Sequence, residues 1–307
     1  MRRRRREAIE GYLFLAPALL IIAAFHVWPA IYAFYMSLYR WEVAQEGFLG
    51  LRNYQHLLQD GDFLGSVGLT VVYVAGTVPV EMAVGLGVAL LLHQRLRLRG
   101  VFRLLYFMPY VTSQVAVALV WGWIFNPTYG VANAILETVA GQPRTWLLQP
   151  DGVFSSDLPP SLALASIMFV TVWYYLGFHA VVFLSGLTSI SDEVIDAARI
   201  DGAGGLRMFR DITFPLLSPT TYFLLLVATI GAMTSFNLVY VMSSGQGAGC
   251  GGGPLGTTRV AALFVFDRFW CQTELGYASA AAFAVGFVVV VITAINNRIF
   301  SRRVFYG

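Results

Sequence analysis

Residues 193–219 read EVIDAARIDGAGGLRMFRDITFPLLSP. Seven of these side chains are charged, and a Gly-Ala-Gly-Gly segment interrupts them. The surroundings are the opposite in character: of 307 residues, 57% are hydrophobic and 12% charged, with a mean hydropathy of +0.67. A soluble domain carries about 25% charged residues, so this chain lacks the polar surface to cover itself. Working outward from the charged island, six apolar runs appear, near residues 12–38, 67–92, 103–125, 161–186, 219–243 and 275–297. Each approaches or exceeds the roughly 20 residues that cross a hydrocarbon core. None alternates with the period of two that a barrel strand of about 10 residues requires. The fold expected is therefore an all-α integral membrane protein of six transmembrane helices, with the island in the loop 187–218 between the fourth and fifth.

Every basic residue is Arg, and the chain has no Lys. A P-loop needs a Lys on the nucleotide phosphates, so ATP hydrolysis of that kind, like Schiff-base chemistry, is excluded for this chain. With six spans, the two ends and the loops at 93–102 and 187–218 share one side. That side holds 15 of the 20 Arg: Arg2 to Arg6, Arg95, Arg97, Arg99, Arg103, Arg199, Arg207, Arg210, Arg298, Arg302 and Arg303. Only Arg40, Arg52, Arg144, Arg259 and Arg268 fall on the other. The positive-inside rule makes the first side cytoplasmic. The first apolar run outlasts a signal peptide's 7–15-residue core and ends without a small-x-small cleavage site, so an uncleaved first span is expected. Its basic head suits anionic lipid. The chain then divides into a basic N-terminus (1–11), a first helix with its external loop (12–66), a five-helix core (67–298) and a cytoplasmic tail (299–307).

The island itself reads as helix, Gly turn, helix. Ser191 is the expected N-cap, Asp192 and Glu193 suit the positive end of the helix dipole, and Gly202 supplies a left-handed stop. The segment GLRMFRDITF forms the second helix before Pro215 and Pro219 open the next span. No His, metal-ligand spacing or nucleophile with a base lies in it. Two uses suit such a unit: rest on lipid headgroups, or docking of a partner against the small Ala197-Ala198 pair.

The spacing also resembles the EAA loop of ABC importer permeases: Glu-Ala-Ala, three residues, Gly, nine residues, Ile, any residue, Leu-Pro. Here it is Asp196-Ala197-Ala198, then Gly202, then Ile212, Thr213 and Phe214-Pro215, with Asp for Glu and Phe for Leu as the departures. The stretches LRNYQHLLQD, LRGVFRLLYFMP, WGWIFNPTYGVANAIL and LGYASAAAF extend the likeness over residues 50–285, to the carbohydrate and glycerol-3-phosphate branch of type I importer permeases. The resemblance implies a permease subunit for a sugar or sugar derivative in a bacterial or archaeal cytoplasmic membrane, paired with a second permease. It implies an ATPase dimer that binds ATP and Mg, so that this chain needs no cofactor of its own and catalyses nothing, and an extracytoplasmic binding protein. No nucleic-acid partner is implied. It assigns ATPase coupling to Asp196, Ala197, Ala198, Asp201, Gly202 and Ala203.

Other residues carry weaker signals. Glu81 sits inside the second run, where a carboxylate is costly and functional or paired; a hydrogen bond within the bundle or at the permease contact competes with a proton relay in a self-sufficient secondary transporter. Trp173, Asn237 and Tyr240, with Tyr174 and Tyr175, suit the ring faces and hydroxyls of a sugar in a translocation path, although Trp and Tyr also serve as interfacial anchors. Cys250 and Cys271 are a candidate disulfide closing a loop of about 20 residues, worth roughly 3 kcal/mol, with two free thiols as the alternative. The four His show no metal spacing. No intramembrane enzyme motif is present. Pro29, Pro79 and Pro109 are expected to kink their helices, and the stretch GLGVAL at 85–90 to allow close packing.

Overall fold

The computed structural model describes residues 2–94, 98–153, 155, 159–244, 250 and 252–300, the side chains of 2–10, 99 and 140 excepted. Of the orientation count, Arg2 to Arg6, Arg95, Arg97, Arg99, Arg302 and Arg303 lie outside the described residues or side chains, as do 245–249 and 251 of the Gly-rich stretch and 301–307 of the tail. Five helices are long and apolar enough to cross a membrane: Gly11–Ser37, Gly61–His93, Leu162–Thr188, Ser218–Ser243 and Leu275–Phe300. A bent pair, Gly100–Val111 and Gln114–Ile124, makes a sixth crossing if counted as one span. In chain order these are the first to sixth spans, the bent pair being the third.

The bend departs from the uninterrupted third run expected at 103–125. The two halves meet at 97°, with Thr112 extended between them. Pro109 loosens the turn before it, since it offers no N–H to the Leu105 carbonyl, but the helix runs on to Val111 and the chain turns only where Thr112 is extended. The carbonyls released at the break are not left bare. The Tyr174 hydroxyl lies 3.0 Å from the Tyr110 carbonyl and 3.2 Å from that of Thr112, donating to this pair from the fourth span. Pro79 produces no such break, since Gly61–His93 runs through it. Pro29 sits at the start of Trp28–Ser37, directly after a π-helical turn, Ala23–Val27.

The chain divides into two compact units, one of Met1–Gly61 with Val265–Ala284, the other of Asp62–Phe264 with Val285–Gly307. In the first, the first span leads into an antiparallel hairpin, Tyr39–Trp41 paired with Gln45–Phe48, and a short helix, Arg52–Leu57. Buried Asn53 holds the hairpin to the span by donating to the Ser37 and Tyr39 carbonyls at 2.8 and 3.1 Å. Asp60 accepts from the Tyr277 hydroxyl at 2.6 Å and from Arg268 at 3.3 Å.

In the second unit, the second, fourth and fifth spans share a core of Ala89, Leu92, Phe183, Leu184, Leu187, Leu217 and Leu224. Ser161 caps the fourth span, its hydroxyl accepting from Leu164 N–H at 3.1 Å. Gly85, in the GLGVAL stretch, is where the second span meets the fourth most closely: a Cβ there would lie 2.5 Å from the His179 Cβ. The external segment after the third span contains the helix Val131–Ala140. It is tied down by buried Asn133, which accepts from Arg144 N–H and the Trp146 indole. Cys250 in this unit is disulfide-bonded, as is Cys271 in the first.

Two outcomes are expected. Gly85→Ala forces the second and fourth spans apart, costing about 1–3 kcal/mol, whereas Gly87→Ala, with nothing within 4 Å of the added Cβ, is neutral or stabilising. Comparing the thermal unfolding midpoints of the two variants in detergent checks this. Tyr174→Phe leaves the carbonyls at the third-span break unpaired in an apolar setting, a cost of about 1–3 kcal/mol that the same measurement reads as a lowered midpoint.

Candidate functional site

Two places in the second unit carry polar chemistry. The first is a cavity of about 210 Å³ within the membrane-spanning region, lined by Glu81 and Tyr110 and by residues of the fourth and fifth spans. From the fourth come Thr171, Tyr175, Phe178 and His179; from the fifth come Val227, Ala228, Gly231, Ala232 and Ser235. Thr171, Tyr175 and His179 stand four residues apart, so they form one stripe on a helix; Val227 and Gly231 do the same on the facing helix, and Ser235 lies just past the end of that helix at Met233.

The cavity wall is mostly satisfied. The Thr171 hydroxyl donates to the Ile167 carbonyl at 2.9 Å and meets the buried Tyr73 hydroxyl at 2.8 Å, which in turn lies 3.2 Å from Ser235. Tyr110 stacks on Phe178 with ring centroids 5.0 Å apart, giving an aromatic side wall. The exception is the partner of Glu81 that the sequence did not name. Glu81 is 3% exposed and His179 1%, and the His179 Nε2 lies 3.9 Å from a Glu81 carboxyl oxygen, beyond hydrogen-bond reach. His179 Nδ1 is 3.0 Å from the Tyr175 carbonyl. A carbonyl only accepts, so Nδ1 carries a proton there. Nε2 has no hydrogen-bond partner among the described residues.

The three residues singled out for the path do not line this cavity. Trp173 stands on the other side of the fourth span, edge-on to Trp121 at 5.4 Å, in an apolar groove with Pro109 and Thr112. Tyr240 stacks on Phe236 at 5.1 Å. Asn237 connects to the cavity indirectly: it donates to Gln114 at 2.9 Å, which donates to the Tyr175 hydroxyl at 3.1 Å. Tyr175 lines the cavity itself, while Tyr174 braces the third-span break. His179 and Ser235 were missed, although the four-residue polar stripe of the fourth span was available as a signal.

The second place is the loop between the fourth and fifth spans. Its first helix is Asp192–Ile200, with Asp192 and Glu193 in the first turn and Arg199 in the last. Ser191 occupies the N-cap position in extended conformation, but its side chain makes no capping bond. The stop is fully formed: Ala203 N–H donates to the Ala198 carbonyl at 2.9 Å and Gly202 N–H to that of Arg199 at 3.0 Å. This is the Schellman pairing, and it requires the left-handed Gly202, whose φ is +81°. A short helix Gly205–Met208 and a π-turn Phe209–Thr213 follow, leading to the fifth span. Ala198 is buried; Asp196, Ala197, Asp201 and Gly202 are exposed and Ala203 is partly so. Asp196 pairs with Arg199 at 2.8 Å on the helix surface. Two large apolar side chains of the loop are left outside, Ile200 at 86% and Leu206 at 83% exposure.

Comparison with known proteins follows this geometry. The family described as binding-protein-dependent transport system inner membrane component matches residues 82–306. A trehalose/maltose transport system permease protein of Thermococcus litoralis is 32% identical over 96% of this chain and 94% of its own length. An sn-glycerol-3-phosphate transport system permease protein of Agrobacterium fabrum is 29% identical over 97% of each. A chain in the crystal structure of a bacterial alginate ABC transporter, in complex with an alginate pentasaccharide-bound periplasmic protein, shares the fold with a TM-score of 0.81. It is 19% identical and the match covers 99% of this chain and 98% of that one. The chain therefore belongs to the binding-protein-dependent transport system inner membrane components: it is a multi-pass permease subunit of an ABC importer, of the carbohydrate and glycerol-3-phosphate branch, and not an enzyme.

Proposed function

We propose that this chain forms one half of the translocation path for a sugar or sugar derivative and takes its energy from an ATPase through the loop 187–218. It works beside a second permease, with an ATP-binding cassette dimer on the cytoplasmic face and a solute-binding protein outside. ATP and Mg belong to the ATPase. Importer membership also replaces the proton-driven alternative.

The observation that carries the coupling role is the loop's construction. A helix with a complete C-terminal stop is stiff, and the loop that carries it is rooted at its two ends, Leu187 and Leu217, in the core shared by the second, fourth and fifth spans. Movement of that helix must move those spans. Its outer surface, with Ala197 between Asp196 and Arg199 and with Ile200 and Leu206 unburied, combines apolar area with orienting charge. A headgroup layer would accept such a surface too, but has no use for a stiff lever.

Purifying the tagged chain from native membranes in mild detergent is expected to recover a P-loop ATPase and a second six-span chain in fixed ratio; recovery of the chain alone contradicts the proposal. Gly202→Asp is expected to lower solute-stimulated ATP hydrolysis by roughly tenfold or more while the chain remains inserted. No atom lies within 4 Å of a Cβ at Gly202, so the cost inside this chain is only the left-handed backbone, about 1–2 kcal/mol. Gly202→Ala separates the two effects: it carries at least as much backbone strain, since Asp enters the left-handed region more readily than Ala, and is expected to retain more hydrolysis than the larger, charged Asp.

A further inference from the structure

We infer that Glu81 and His179 form a hydroxyl-binding pair in the wall of the membrane cavity, and that the solute passing this chain is uncharged. This deepens the importer reading and rests on it. Nδ1 of His179 is committed to the Tyr175 carbonyl, so only Nε2 faces Glu81. A bare carboxylate and an unprotonated Nε2 would set lone pair against lone pair in a water-poor place, and both side chains are almost wholly buried. One proton between them removes that conflict. It resides on Glu81 or on Nε2, and in either case the pair is neutral overall and presents one donor and one acceptor.

The spacing leaves that donor and acceptor unspent. At 3.9 Å they cannot bond each other; Nε2 is closed off in this state, and when the spans part around a solute an oxygen about 2.8 Å from both fits between them. A hydroxyl accepts from one and donates to the other, whichever way the proton lies. A phosphate ester or a carboxylate offers acceptors only, so one partner would face it with a lone pair. None of the described residues lining the cavity is Arg, and the chain has no Lys, so nothing there compensates an anion. Tyr110 and Phe178 supply the flat apolar surface against which a sugar ring packs. This separates the chain's solute from the glycerol phosphate and alginate in the names of its relatives.

The test uses the whole importer with its binding protein in proteoliposomes. ATP hydrolysis is screened against neutral mono- and oligosaccharides and polyols on one side, and phosphate esters and uronates on the other. Every stimulating solute is expected to be uncharged. Stimulation by a phosphate ester or uronate overturns the inference and leaves the importer reading standing; no stimulation by any solute counts against both. For the solute found, Glu81→Met is expected to lower uptake roughly tenfold, the value of one hydrogen bond to a charged or proton-sharing group. Glu81→Gln, which keeps a donor and an acceptor, recovers most of it. Preference for the solute over its deoxy analogues is expected to collapse in Glu81→Met, a change that lost packing alone would not produce. Uptake and deoxy discrimination within about twofold of wild type in Glu81→Met overturn the inference. If Glu81→Met fails to assemble, the charge selectivity of the wild-type complex decides.

Discussion

Inside a bilayer no water completes an unpaired hydrogen bond, and each polar group left bare costs several kcal/mol. The second unit is organised by that constraint. Where the third span breaks at Thr112, the Tyr174 hydroxyl is placed on the Tyr110 and Thr112 carbonyls. Tyr73, Thr171 and Ser235 satisfy one another across the second, fourth and fifth spans. Against this background the unbonded Nε2 of His179, facing Glu81 across a cavity, is an exception, and exceptions of this kind in a membrane core belong to solute or proton chemistry.

The loop between the fourth and fifth spans obeys the complementary rule. It stands in water, where the backbone is not forced to pair, yet its helix end is closed by two Schellman bonds. That order serves transmission. To switch a two-state permease almost completely, the ATPase must favour one state by several kcal/mol, and a lever that bends would dissipate the difference. Rooting the loop at Leu187 and Leu217 puts its motion into the same core that sets the separation of the second and fourth spans, where Gly85 meets His179. The cavity and the lever thus share their supporting helices.

Hydropathy made the six crossings legible in the sequence, and the Gly202 stop was legible because few residues besides Gly adopt a φ of +81°. The bend at Thr112 was not, because no proline marks it: Pro79 and Pro109 both lie inside helices, and the helix of Pro109 runs on to Val111. The partner of Glu81 was hidden by sequence distance: His179 lies on another span, and pairing at that range is decided by packing. Trp173 drew attention as an aromatic beside Tyr174 and Tyr175, but neighbours on a helix face different ways. The repeat Thr171, Tyr175, His179 marks the cavity face, whereas Trp173 faces an apolar groove. The hairpin Tyr39–Trp41 with Gln45–Phe48 was also unforeseen, its strands of three and four residues being too short for an alternation to stand out.

The most direct measurement places a thiol on the lever. Both native cysteines are disulfide-bonded, so Ala197→Cys introduces a free one on the exposed face of Asp192–Ile200. Treating native membranes with a short cross-linker that carries a thiol-reactive end and a photoreactive end, and identifying the products by mass spectrometry, is expected to give a covalent adduct with an ATPase subunit, lost or weakened when nucleotide changes the state of the complex. Adducts with lipid alone, or none to any ATPase while the assembled importer is present, would contradict a coupling role for this loop.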